Sequence, residues 1–61
     1  MSDEFKSMSL RIRAASDVPA LHKLSASLDR LFYAGIFSAR EFGRLDTMIM
    51  ERIAIMETAE K

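Results

Sequence analysis

The sequence predicts an α+β fold that is mostly α: one N-terminal strand followed by an αα-hairpin, completed as an intertwined homodimer. Three observations lead there. Apolar residues alternate at period two over one early stretch, and they recur at helical spacing over two later stretches separated by a Gly-containing turn. The chain also has only 61 residues and no cysteine. A domain of that size covers only about 60% of the surface its unfolded form exposes, and small domains compensate with disulfides, a structural metal or association. Lack of cysteine removes disulfides and thiolate zinc sites, so association is the expected remedy. The whole chain, 1–61, reads as one domain, with a strand at about 7–14 and helices at about 17–34 and 39–58.

The strand comes first. From Ser7 to Ala14, the residues Met8, Leu10, Ile12 and Ala14 alternate with Ser7, Ser9, Arg11 and Arg13, the pattern of a half-buried strand. No other stretch repeats it, and one strand cannot satisfy its own ladder of N–H and C=O groups. Its partner is therefore expected to be a second copy of itself. The residues before it, and the last few of the chain, read as disordered ends.

The first helix is announced by Ser16-Asp17-Val18-Pro19, two candidate N-caps followed by a proline in the first turn, where its missing N–H is harmless. Leu21, Leu24, Leu28 and Leu31 then form a seam, joined by Phe32, with Lys23, Ser27 and Arg30 on other faces. Gly35 suits the left-handed position that closes a helix. The second helix begins at Ser38-Ala39-Arg40-Glu41, a capping box, with Phe37 and Phe42 placed as a hydrophobic staple. Its far end carries Glu57 and Glu60 at the negative pole of the helix dipole and is expected to fray.

Phe42, Leu45, Ile49, Ile53 and Met56 make a seam along this second helix, while Met48 and Ile55 widen it on one flank and Met50 on the other. At about 100° per residue the apolar arc covers roughly 200°, more than one neighbouring helix can cover. With the first helix already used, a second subunit is the economical second neighbour. The expected core and dimer interface is Met8, Leu10, Ile12, Leu21, Leu24, Leu28, Leu31, Phe42, Leu45, Ile49 and Ile53.

Nine Lys+Arg balance nine Asp+Glu, so there is no global field to attract phosphate backbones or anionic lipid, and nucleic acid is disfavoured as a partner. The N-terminus lacks a basic region followed by an apolar one, and no stretch approaches the roughly 18 apolar residues of a membrane span. The expectation is a protein that stays in the cytoplasm and makes no membrane contact.

The residues that could carry chemistry do not converge. His22 is the single histidine, with no cysteine and no suitably spaced carboxylate to complete a metal site, and reads as a partly exposed helix residue. Ser25 and Ser27 lack an oriented base. Asp3 and Glu4 fall in the expected tail, and Asp29, Asp46 and Glu51 on polar helix faces. Gly35 and Gly43 are isolated and cradle no phosphate. The reading is a non-enzyme, with no catalytic residue, metal or cofactor.

Interaction remains. Met8, Met48, Met50 and Met56 supply adaptable thioethers, and Tyr33, Ile36 and Phe37 near the turn, with Met48 and Met50, could rim a groove for an amphipathic helix of a partner protein. The alternative is a small dimeric DNA-binding regulator, since two helices around a Gly-containing turn could present Arg40 and Arg44 to DNA. In that case Arg11 and Arg13 on the strand's outer face offer a second contact.

The run Leu24–Ile53, above all Gly35-Ile36-Phe37-Ser38-Ala39-Arg40-Glu41-Phe42, resembles the SHOCT-type helical hairpin, although the Lys-rich second helix of that module is missing. The resemblance implies an oligomerisation appendage. Over its full length, the order of strand, leucine-seamed helix and Met-rich helix resembles the small early proteins of lambdoid temperate phages encoded between the exonuclease and excisionase genes. That resemblance rests on length and texture. It implies a non-enzymatic early phage protein in the bacterial host cytoplasm, favouring lytic development through protein–protein interaction.

Overall fold

The computed structural model describes residues 2–59. Among them are three helices: α1 at Asp3–Ala14, α2 at Val18–Tyr33 and α3 at Ala39–Ala59. The fold is all-α, and the expected α+β class with its N-terminal strand is overturned. Glu60, expected in the fraying tail, lies outside the described residues.

The correction falls on Ser7–Ala14, and its cause is visible in four residues. Met8 and Ile12 are four positions apart, a distance that satisfies a period of two and a period of 3.6 alike, so this pair does not discriminate. Phe5 and Leu10 do. Phe5 is buried with Met8 and Ile12, at helical spacings of three and four, whereas Leu10 is 64% exposed although the alternation would bury it beside Ile12. The supposed tail supplies the helix start. The Ser2 hydroxyl caps α1 by accepting the Phe5 amide at 3.2 Å, Asp3 and Glu4 occupy the first turn and Arg11 and Arg13 the last, each sign at the favourable end of the dipole. A lone segment also satisfies its backbone within itself as a helix, which it cannot do as a strand. Self-pairing of this segment is therefore not needed, and the β-ribbon placement of Arg11 and Arg13 falls with it.

α1 ends at Ala15, whose backbone turns extended and whose amide reaches back to the Ile12 carbonyl. Two residues later Asp17 caps α2, its carboxylate accepting the Ala20 amide at 2.8 Å, with Pro19 in the first turn. At the other end Gly35 takes φ of +83°. The Gly35 amide bonds to the Phe32 carbonyl at 3.0 Å and the Ile36 amide to Leu31 at 2.9 Å, the paired bonds of a Schellman motif, and a left-handed residue is what that geometry requires. The capping box of α3 is reciprocal: the Ser38 amide donates to Glu41 Oε1 at 3.0 Å, and the Glu41 amide donates to Ser38 Oγ at 3.1 Å.

α2 and α3 form the hairpin, with the Phe32 and Phe42 rings stacked at 4.5 Å. α1 lies along the other flank of α3. The Ser2 hydroxyl donates to Glu41 Oε2 at 3.3 Å and the Ser9 hydroxyl approaches Met48 Sδ at 3.9 Å, and both contacts join residues 39 positions apart. A constant offset means that α1 and α3 run parallel, giving an up-down-up bundle. Near the far end of α1, Arg52 Nη2 donates to the Ala15 carbonyl at 2.9 Å.

The core is Phe5, Met8, Ile12, Leu21, Leu28, Phe37, Leu45 and Ile49, with Ala15, Leu24, Leu31, Phe42, Met48, Ile53 and Met56 packed around it. The broad apolar arc of α3 does need two neighbours, and the second is α1 of the same chain. That requirement is thus met without a second subunit. α3 has 21 residues against 12 for α1, about 31 Å against 18 Å at 1.5 Å per residue, so its last turns project past the end of α1.

Candidate interaction surface

Of the residues expected at the core or interface, Met8, Ile12, Leu21, Leu28, Leu45 and Ile49 are buried within one chain, and Leu24, Leu31, Phe42 and Ile53 are half-buried around them. Leu10 alone of that set stands in solvent. The five residues expected to rim a partner groove do not come together. Phe37 is 3% exposed and belongs to the core rather than to a rim. Met48 is half-buried against α1, Met50 is exposed on α3, and Tyr33 and Ile36 are exposed at the α2–α3 turn.

His22 is exposed on α2, and among the described residues no group of three or more His, Asp or Glu side chains is placed to hold a metal ion. Ser27 Oγ accepts a hydrogen bond from Arg30 at 3.3 Å, a contact that supplies no base for nucleophilic chemistry. No helix among the described residues is long and apolar enough to cross a membrane.

Among the described residues, three of the surfaces that the fold does not use bear on interaction. The first is a groove of about 700 Å³ between α1 and α3, lined by Phe5, Ser9 and Arg13 from one helix and Arg40, Gly43, Arg44, Thr47 and Met48 from the other. Its floor is the edge of the core at Phe5 and Met48, and its walls carry guanidinium groups. A Cβ built at Gly43 would meet nothing within 4 Å, so the groove stays open there. The second is the turn, where Tyr33, 86% exposed, and Ile36 flank the left-handed Gly35. The third is the projecting end of α3, where Ala54, Ile55, Thr58 and Ala59 form an exposed, mostly apolar helix face.

One polar junction organises the groove end of the bundle. Glu41 accepts from the Ser38 amide and from the Ser2 hydroxyl, so one carboxylate closes the N-cap of α3 and ties it to the N-cap of α1. The Ser38 amide, helped by the Ser2 and Ser38 hydroxyls against an opposing desolvation, holds this carboxyl below the usual glutamate range. At the other end, the Arg52 guanidinium bonds the carbonyl of Ala15, the C-cap of α1, where a cation is favoured. The sequence expectations contain neither tie: Ser2-Asp3-Glu4 ahead of Phe5, Met8 and Ile12 is the local signal for the first, and the second, 37 positions apart in sequence, has none.

By its fold and surface the chain is a small all-α, three-helix domain with a basic groove beside its core. Comparison with protein-family models, curated proteins and solved structures finds no match.

Proposed function

We propose that this chain is a non-enzymatic accessory protein that works through protein–protein interaction as a homodimer. In the temperate-phage setting implied by its resemblance, it favours lytic development in the cytoplasm of the bacterial host. The observation that carries the interaction reading is that, of the large apolar side chains left outside a finished core (Leu10, Tyr33, Ile36, Met50 and Ile55), three lie at the ends of the bundle: Tyr33 and Ile36 at the turn, and Ile55 on the projecting end of α3. Solvent-facing aromatic and branched residues grouped at two ends of a small domain are the kind of surface that partners cover. The Ala54–Ile55–Thr58–Ala59 face suits the same face of a second copy, and the turn suits a host or phage protein.

The test has two arms. Sedimentation at micromolar concentration should give a dimer for the wild type and a monomer for Ile55→Glu; a wild-type monomer would remove self-association. Capture of the tagged chain from phage-infected cells should recover a protein that a Tyr33→Ser, Ile36→Ser double variant of unchanged helicity loses. Recovery of the same proteins by both would remove the turn from the reading.

A small dimeric DNA-binding regulator is the second reading, favoured by Arg13, Arg40 and Arg44 lining one groove. It calls for oligonucleotide binding with a steep salt dependence; no binding of duplex or single strand at low salt would eliminate it.

A further inference from the structure

We propose that the α1–α3 groove is a docking site for an acidic amphipathic helix of a partner protein. The proposal rests on the protein-interaction reading above and gives that partner a chemistry.

The charge of the groove is unlike that of the chain. Nine basic and nine acidic residues cancel overall, yet the groove carries Arg13, Arg40 and Arg44, and the adjoining depression along α1 adds Lys6 beside Phe5, Ser9, Leu10 and Arg13. No carboxylate lines either. The nearby acids of α1 are turned elsewhere, since Asp3 and Glu4 line a separate hollow with Met8, Arg11 and Leu31 on the α2 side. Four cations therefore share one continuous face.

The shape and floor select among anions. A furrow between two parallel helices receives a third rod-shaped element, and half-buried Met48 with the small exposed edge of Phe5 gives it apolar ground, continued by Leu10 in the adjoining depression along α1. A bare phosphate chain would leave that ground uncovered. Single-stranded nucleic acid stacks its bases on exposed aromatic rings, but the one aromatic residue of the groove, Phe5, is buried. A helix with one apolar stripe flanked by Asp or Glu meets both the floor and the walls. It would lie as the fourth member of the bundle, its apolar residues at spacings of three and four, its carboxylates paired with the arginines at the solvent-exposed margin. Such rim pairs set encounter rate and partner choice more than affinity.

The experiment uses the full chain and three synthetic peptides in fluorescence anisotropy at low and moderate salt: a helix with a leucine stripe flanked by Glu, the same composition scrambled to destroy the stripe, and the stripe flanked by Lys. The Glu-flanked helix should bind, and the other two should bind at least about tenfold more weakly. The double reversal Arg40→Glu, Arg44→Glu, at two exposed positions, should weaken the Glu-flanked helix by about tenfold or more and reverse the preference toward the Lys-flanked one. NMR shift changes on the wild type, which need no variant, should centre on Phe5, Ser9 and Met48. Equal binding of the scrambled peptide, shifts centred on Tyr33 and Ile36, or duplex DNA competing through the same arginines would each overturn the proposal. So would a wild-type dimer dissociated by the Arg40→Glu, Arg44→Glu reversal, which would make a second copy the occupant. Capture through the turn surface tests the broader reading separately, so either can fail while the other stands.

Discussion

Ile12 and Leu10 lie two positions apart, and truncating each in turn separates a helix from a strand at the N-terminus. Ile12 is fully buried, and Leu10 is 64% exposed. Ile12→Ala removes three buried carbons, about 2.4 kcal/mol at about 0.8 kcal/mol each. A residual cavity raises the loss to about 3–4 kcal/mol. Against a total stability of roughly 3–9 kcal/mol for a domain of this length, that change brings the chain close to unfolding, so Ile12→Val, at about 1 kcal/mol, is the graded companion. Leu10→Ala should stay within about 0.5 kcal/mol. Urea unfolding followed by far-UV circular dichroism measures all three, because tryptophan is absent and the lone Tyr33 is exposed. On heating, Ile12→Val should lower Tm by about 4–8 °C. An alternating strand would bury both residues on one face; equal losses for Leu10→Ala and Ile12→Ala would refute the helical assignment of α1.

The two glycines should respond in opposite directions. Gly35→Ala forces a side chain into the left-handed region at φ of +83° and should cost about 1–2 kcal/mol, whereas Gly43→Ala, with open space around the new Cβ, should gain about 0.5–1 kcal/mol in thermal unfolding. Glu41 has its folded-state pKa lowered, so its capping contribution is present above the ordinary glutamate range and is lost as pH falls through the lowered value. Urea midpoints of wild type and Glu41→Gln should differ at neutral pH and converge under acid; a constant gap would contradict the linkage. Arg52→Met should remove about 1–2 kcal/mol by freeing the Ala15 carbonyl, with faster amide exchange in the last turn of α1 as its signature.

Which parts of the molecule the chain spells out depends on the range of the interaction. The ends of the two later helices are written in local hydrogen-bonding groups: Asp17 three residues before the Ala20 amide, Ser38 three before Glu41, and Gly35 where a left-handed residue is needed. α1 reads as a strand because Met8 and Ile12 fit both periodicities, and Ser2 and Phe5, which break the tie, lie outside the alternating stretch. A strand there leaves the wide apolar arc of α3 without a second neighbour in its own chain, whereas a helix supplies one. The groove was hidden for a different reason. Arg13 and Arg40 are distant in sequence, and only the parallel alignment of α1 and α3 brings them to the two sides of one groove.

The 39-residue offset between α1 and α3 carries a kinetic consequence. α2 and α3 are neighbours along the chain and can zip together early, whereas the contacts of α1 with α3 join residues 37 to 39 positions apart, which places the docking of α1 on α3 later. What forms last through long-range contacts is also apt to open first, as a partial unfolding that leaves the hairpin standing. In that opened form Phe5, Met8 and Ile12, together with the flank of α3 they cover, face water at once. A clipped chain that begins after Ala14 should therefore behave as an adhesive hairpin, prone to clump with its own kind, and the twelve residues of α1 serve as the built-in cover that keeps the rest dispersed.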